Sequence, residues 1–84
     1  MRITAVESTV LVTVGYDQAC RRLRLEFRSR AIYDYFDVPD AVHQALLEAE
    51  SKGNYFNEVI RDRFPVRRIA AWDLGASPVV AGRR

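Results

Sequence analysis

The chain has 84 residues, of which 49% are apolar and 29% charged, with a formal net charge of +2. A chain of this length forms one small domain with a single core. Its only cysteine, Cys20, excludes an intramolecular disulfide, and no stretch approaches the roughly 20 apolar residues of a membrane-spanning helix. Because there is also no signal-peptide pattern, we expect a cytoplasmic protein that does not associate with a membrane.

The charges are unevenly distributed along the chain. Residues 18–33 carry five arginines and one glutamate, residues 34–50 carry five acids and no base, and residues 61–84 carry six arginines and two aspartates. Arginine favours bidentate contacts with phosphate or carboxylate groups. Phosphate binding, pairing between the acidic and basic segments, and a bias toward GC-rich codons are all consistent with this pattern.

The first half of the chain has the patterns of β-strands. Residues 9–14 are a β-branched run that predicts a first strand, and residues 15–19 have the composition of a turn. Residues 21–27 alternate between apolar and charged side chains, which predicts a half-buried antiparallel strand. Residues 31–36 return as a third strand. The inward residues of the second strand are Leu23, Leu25 and Phe27; the outward ones are Arg22, Arg24 and Glu26.

The second half has helical periodicity. Pro39 favours a helix start, and apolar residues at helical spacing extend that helix to about Ala49. Residues 51–54 interrupt it, with Gly53 as a left-handed C-cap and either Ser51 or Asn54 as the next N-cap. A second helix is predicted over residues 55–63. Residues 66–72 fit either a short edge strand or an extended arm, and residues 73–84 are predicted to be a disordered tail.

These elements predict an α+β fold over residues 1–72. Two short helices would form one layer, and a three-stranded antiparallel meander would form the other. The order is β-β-β-α-α, and residues 66–72 are the candidate for a final edge strand.

The orientation of Tyr33 and Tyr35 depends on the length of the loop between the second and third strands. A two-residue loop would place both rings on the outer face beside Arg24, as a platform for stacking bases, but would bury the Asp34 carboxylate in the core. A three-residue loop with Arg30 at positive φ would place both rings in the core and Asp34 toward solvent. We favour the second register because it avoids the buried charge.

Several segments in order resemble the KTSC domain, a small module with a central Y-x-Y. They are GYD at 15–17, LRLEF at 23–27, YDY at 33–35, DVP at 37–39, AESKGNYFN at 49–57 and IR at 60–61. The module is named for its place at the C-terminus of some lysyl-tRNA synthetases and also occurs alone in bacterial and phage proteins. RNA binding has been suggested for this family because of the fusion to synthetases, and the resemblance implies no more than that suggestion. The family tends to have glycine where Arg30 stands, which fits a left-handed turn position.

The candidate catalytic and metal-binding residues are few. His43 is the only histidine and is expected to be exposed on a helix, and Cys20 has no histidine near it in sequence. There is also no glycine-rich phosphate loop. We therefore expect no catalytic residues, no metal site and no cofactor, and we predict that the protein is not an enzyme.

The first functional hypothesis is a small binding module with RNA or another nucleic acid as its partner. Clustered arginines and interleaved tyrosines motivate it, and Lys52 lies where a helix N-terminus would suit an anion. The predicted contact residues are Arg22, Arg24, Arg28, Arg30, Tyr33, Tyr35, Lys52 and Arg61. The alternative is a protein-interaction module in which residues 66–72 add to a sheet edge and Trp72 is the anchor.

Overall fold

The structure is a computed structural model that describes residues 1–69. It contains a five-stranded antiparallel sheet whose strands follow chain order, β1-β2-β3-β4-β5. A helical layer, inserted between β4 and β5, packs on one face of the sheet. The strands are β1 (Arg2–Ala5), β2 (Leu11–Asp17), β3 (Arg22–Phe27), β4 (Ile32–Tyr35) and β5 (Val66–Ile69), and the helical elements are α1 (Asp40–Glu48), α2 (Lys52–Tyr55) and a π-helical turn (Phe56–Ile60).

The α+β class is confirmed, but the predicted three-stranded meander is too small. Strand β1 was not predicted because its alternation, Arg-Ile-Thr-Ala, is only four residues long, and only one of these residues is half-buried. It forms because it pairs with β2, from Arg2 opposite Tyr16 to Ala5 opposite Thr13. Gly15 permits this close approach: a Cβ there would lie 2.9 Å from the Met1 sulfur. The residues predicted as the start of a turn therefore continue β2 to Asp17.

The β3–β4 hairpin has the register that we favoured. Leu25 is opposite Tyr33, and Leu23 is opposite Tyr35. The Phe27 amide donates to the Ala31 carbonyl, and Arg30 closes the three-residue loop with a φ of 77°. Both tyrosine rings consequently lie on the face that the helical layer covers.

The prediction that Asp34 is open to solvent was wrong. It does lie on the outer face, but it is only 2% exposed rather than open to solvent. The Arg24 guanidinium binds it bidentately, with Nε and a terminal nitrogen 2.6 and 2.8 Å from the two carboxylate oxygens. Arg22 approaches the same carboxylate at 3.8 Å. Because neighbouring arginine stems cover the aspartate, the charge is buried together with its partner.

The helical layer starts where the sequence predicts and then differs in detail. Ser51 is the N-cap of α2, and its hydroxyl accepts from the Asn54 amide. Gly53 lies inside α2 rather than ending α1. A Cβ there would lie 2.9 Å from Val10 Cγ2, so glycine permits the close contact between this helix and the loop before β2.

The core lies between the sheet and the helical layer. Its fully buried residues include Leu11, Val14, Leu23, Leu25, Val38, Leu46 and Ile60. His43 was expected on the helix surface, but it is 3% exposed and stacks on Tyr16 with ring centroids 4.5 Å apart. The prediction was wrong because its face of α1 packs against β2, a contact that helical periodicity alone does not show.

Strand β5 confirms the predicted edge strand over four of the residues in question. It pairs with β4 through four opposed positions, from Ile32 opposite Ile69 to Tyr35 opposite Val66. Trp72 and the predicted disordered segment lie outside the described residues. Within residues 1–69, no helix is long and apolar enough to cross a membrane.

Candidate functional site: an aromatic groove

An aromatic groove of about 370 Å³ opens on the helical side of the sheet, near β5. It forms because the helical layer packs on the middle strands and leaves β5 uncovered, so that Val66 on the same face is 50% exposed. The β3–β4 hairpin supplies one wall, and the segment after the π-helical turn supplies the opposite rim. The lining residues are Phe27, Ser29, Ala31, Tyr33, Tyr35, Phe56, Arg61, Asp62 and Val66.

Four aromatic rings form the interior of the groove. Phe56 packs edge-on against both Phe27 and Tyr35, with centroids 5.3 and 5.8 Å apart. Phe27 also meets Tyr33 edge-on at 5.8 Å, and the two tyrosine rings lie 6.5 Å apart. Such edge-to-face contacts fix ring orientation, so the groove is a preformed apolar surface.

The hydroxyl of Tyr35 is the distinctive polar group in the groove. Tyr35 is 6% exposed, and within residues 1–69 its hydroxyl makes no hydrogen bond. The Tyr35 hydroxyl reaches the surface of the groove and is not fully buried, whereas the buried Tyr16 hydroxyl donates to the Val38 carbonyl at 2.6 Å. Burial, with smaller contributions from Tyr33 and Asp62, raises the pKa of Tyr35 to about 12, while Arg61 opposes the shift. The phenol is therefore a neutral donor at physiological pH.

Charged side chains line one rim of the groove. Arg61 and Asp62 both contribute, and both act electrostatically on the Tyr35 hydroxyl. Exposed arginines continue beyond the lining: Arg30 at the hairpin tip, Arg63 after Asp62, and Arg68 opposite Tyr33 in the sheet. The site thus combines an aromatic interior with a predominantly basic surround.

The structure divides the predicted contact residues between separate places. Tyr33, Tyr35 and Arg61 line the groove, and Arg30 lies at its edge. Arg22 and Arg24 lie on the opposite face of the sheet, where they pair with Asp34. Arg28 donates to the Ser8 carbonyl at 2.6 Å, and Lys52 donates to the Ala49 carbonyl at 3.0 Å. The predicted combination of both tyrosines with Arg22 and Arg24 on one surface therefore does not form.

Sequence reasoning missed six of the nine residues that line the groove, namely Phe27, Ser29, Ala31, Phe56, Asp62 and Val66. Phe27 was predicted to face inward, and the apolar periodicity around Phe27 and Phe56 does not show that one edge of each ring borders an opening. Asp62 and Val66 approach the tyrosines only through the packing of the helical segment and β5. Among these residues, only the positive φ of Asp62, 62°, marks an unusual backbone position, and it is not readable from the sequence.

A second cavity, of about 390 Å³, lies near the start of α1. His43 lines it, its Nδ1 lies 3.4 Å from an Asp40 oxygen, and its Nε2 has no partner among the described residues. Within residues 1–69, no three histidine, cysteine or acidic side chains are grouped so as to hold a metal ion. The aromatic groove differs from this cavity in its apolar, aromatic walls, which are typical of ligand sites.

The fold and groove together define a small α+β domain with a preformed aromatic site. The chain belongs to the KTSC domain family, as the resemblance predicted: the family model matches residues 7–64. A crystal structure of a KTSC domain protein from Yersinia pestis superposes with a TM-score of 0.80 at 36% identity, covering 82% of this chain and 97% of that one.

Relatives in sequence are of two kinds. An uncharacterized protein from Stutzerimonas stutzeri is 46% identical over 61 residues, which are 73% of this chain and 86% of that protein. A lysine–tRNA ligase from Nostoc punctiforme is 36% identical over 64 residues, which are 76% of this chain and 11% of the ligase. The same domain thus occurs in small proteins and as a minor part of a much larger enzyme.

Proposed function

We propose that this domain is a non-catalytic module that binds single-stranded RNA in the aromatic groove. The observation that carries the proposal is Tyr35, whose side chain is nine-tenths buried in the aromatic groove and whose hydroxyl reaches the groove surface with no hydrogen-bond partner within residues 1–69. Bases unstacked from a single strand insert between aromatic side chains and hydrogen-bond along their edges. The ring array supplies the stacking surface, and the tyrosine hydroxyls supply the donors.

The charge around the groove supports a phosphate-bearing ligand. Arg61 lies in the groove, and Arg30, Arg63 and Arg68 surround it without an ion pair to any described acid. Arginines in this arrangement suit a backbone that runs along the groove. The similarity to part of a protein named lysine–tRNA ligase also favours RNA over other polymers.

The test is fluorescence anisotropy with a short labelled single-stranded RNA and the full chain. Arg61→Gln should weaken binding, whereas Arg2→Gln should not, because Arg2 is an exposed arginine on the far edge strand. With about three phosphate contacts, raising salt from about 0.05 to 0.3 M should reduce affinity about 40-fold. Equal affinity at both salt concentrations, or an equal effect of the two substitutions, would contradict the proposal.

A matched pair of aromatic substitutions separates stacking from hydrogen bonding. Tyr33→Leu removes a half-buried ring from the groove, and Tyr35→Phe keeps its ring but removes the free hydroxyl. Loss of one stacked base costs roughly 1–3 kcal/mol of binding free energy, so Tyr33→Leu should weaken binding at least fivefold. In an NMR titration, shifts should cluster on the groove and not on the Arg24–Asp34 face.

The second candidate function is protein interaction through β5. Strand β5 is an edge strand, and within residues 1–69 only one of its two edges is paired. An extended segment of another protein could add there by main-chain hydrogen bonds. Shifts confined to residues 66–69 on addition of a partner, with none in the groove on addition of RNA, would favour this alternative.

A further inference from the structure

Asp62 is an acidic residue on the rim of a groove that is otherwise surrounded by arginines. Hydrogen bonds made by the two flanking residues fix its backbone. The Arg61 amide donates to the Phe56 carbonyl at 2.8 Å, and the Arg63 amide donates to the Ile60 carbonyl at 3.1 Å. Between these two bonds Asp62 takes a positive φ of 62°. The turn therefore presents this side chain to the groove.

The carboxylate of Asp62 is free to meet a ligand. Within residues 1–69 it forms no salt bridge and accepts no hydrogen bond, although Arg61 precedes it and Arg63 follows it. It lies close enough to the Tyr35 hydroxyl to act on it electrostatically. Asp62 and Tyr35 both line the groove, which therefore holds an acceptor and a donor, each without a partner within residues 1–69.

This donor–acceptor pair discriminates among the four bases. An ionised carboxylate only accepts hydrogen bonds, and its two oxygens match two adjacent donors. Guanine alone presents two adjacent N–H donors on its Watson–Crick edge, at N1 and N2, with the O6 acceptor beside them. Adenine and cytosine each place a ring-nitrogen acceptor next to their amino group, and uracil has a single donor between two carbonyls.

We infer that the groove selects guanine, with Asp62 as the specificity-determining residue. This inference rests on the proposed function. The Asp62 carboxylate accepts from guanine N1–H and N2–H, the Tyr35 hydroxyl donates to O6, and Arg61 is left to contact phosphate. Tyr33 and the other rings stack the base without regard to its identity, so the preference resides in the polar pair.

The experiment compares four labelled RNA pentamers, UUGUU, UUAUU, UUCUU and UUUUU, by anisotropy with the full chain. UUGUU should bind about tenfold more tightly than the others, which is within the range that a bidentate base contact contributes. Asp62→Asn should reduce the preference below about threefold. Asparagine tolerates the positive φ at this position, so the variant should keep the fold. Glu58→Gln, which removes an exposed carboxylate outside the groove, is the matched control and should keep the preference.

The possible outcomes distinguish a failure of the guanine preference from a failure of RNA binding itself. If all pentamers bind equally, or if the guanine preference survives Asp62→Asn, the assignment to Asp62 is wrong while RNA binding stands. If no pentamer binds, the proposed function fails and the base preference fails with it.

Discussion

Asp34 shows that a charged side chain can be buried on the outer face of the sheet, away from the core. Its alternation with Tyr33 and Tyr35 places it opposite the core, yet it is 2% exposed there. The charge is tolerable because Arg24 binds both carboxylate oxygens and Arg22 lies close to one of them. The hydrogen bond to Asp34 raises the pKa of Arg24, so the Arg24 guanidinium remains charged.

Asp34→Asn should destabilise the domain although it preserves shape. The substitution leaves the Arg24 charge, 22% exposed, without its counter-ion. We expect the free energy of unfolding to fall by roughly 2–3 kcal/mol, less than for a fully buried pair. Urea unfolding followed by circular dichroism measures it. Asp37→Asn, at an exposed position, should change stability by less than about 0.5 kcal/mol; equal effects of the two would show that the Arg24 pair contributes little.

The ionisation of Tyr35 should make the free energy of unfolding depend on pH, and substitution of this residue isolates its contribution. In the unfolded chain a tyrosine ionises near pH 10, whereas in the fold the pKa of Tyr35 is about 12. Between these values the unfolded state loses the proton first, so the free energy of unfolding should decrease as pH rises from about 10 to 12. Tyr35→Phe should show a shallower decrease than the wild type. Parallel stability curves for the two proteins over this range would contradict the prediction.

At the scale of elements, the helical layer depends on a cap as much as on apolar spacing. The predicted second helix starts at residue 55, but the structure starts it at Lys52, because the Ser51 hydroxyl accepts from the Asn54 amide. Of the two candidate caps at this corner, Ser51 and Asn54, Ser51 is the N-cap because it directly precedes the first turn of α2. The following π-helical turn brings Phe56 and Ile60 onto the core.

Ser51→Ala should destabilise this segment. It removes the acceptor for the Asn54 amide, and loss of a serine N-cap costs about 1 kcal/mol. Ser29→Ala is the control, since Ser29 is exposed and its hydroxyl makes no hydrogen bond within residues 1–69. Thermal unfolding should separate the two variants by several degrees. Identical melting temperatures would mean that the cap is replaced by water at no cost.

At the scale of the whole molecule, β5 completes both the sheet and the groove. It pairs with β4, buries Ile69 and supplies Val66 to the groove wall. The Phe36 amide also donates to the Pro65 carbonyl, which fixes the start of the strand. A segment with these contacts is part of the domain and not an appendage to it.

Ending the chain after Phe64 should therefore weaken the fold and not merely remove an interaction segment. Burial of the Ile69 side chain alone contributes about 2 kcal/mol. The matched comparison is a chain that ends after Ile69, with thermal unfolding by circular dichroism as the measurement. The longer chain should melt at a distinctly higher temperature. Equal melting temperatures would show that β5 is dispensable for stability and would favour the interaction role of residues 66–72.

The sequence by itself determined the alternating strands and the helix after Pro39, and it favoured the side of the sheet on which the two tyrosines lie. These follow from local periodicity and from the cost of placing a carboxylate in an apolar core. Only the tertiary structure decided that β1 joins the sheet, that His43 is buried, and that Asp34 is covered by arginines. It also assembled the groove, because Phe27 is distant in sequence from Phe56, Asp62 and Val66, and these residues meet only through the packing of separate elements.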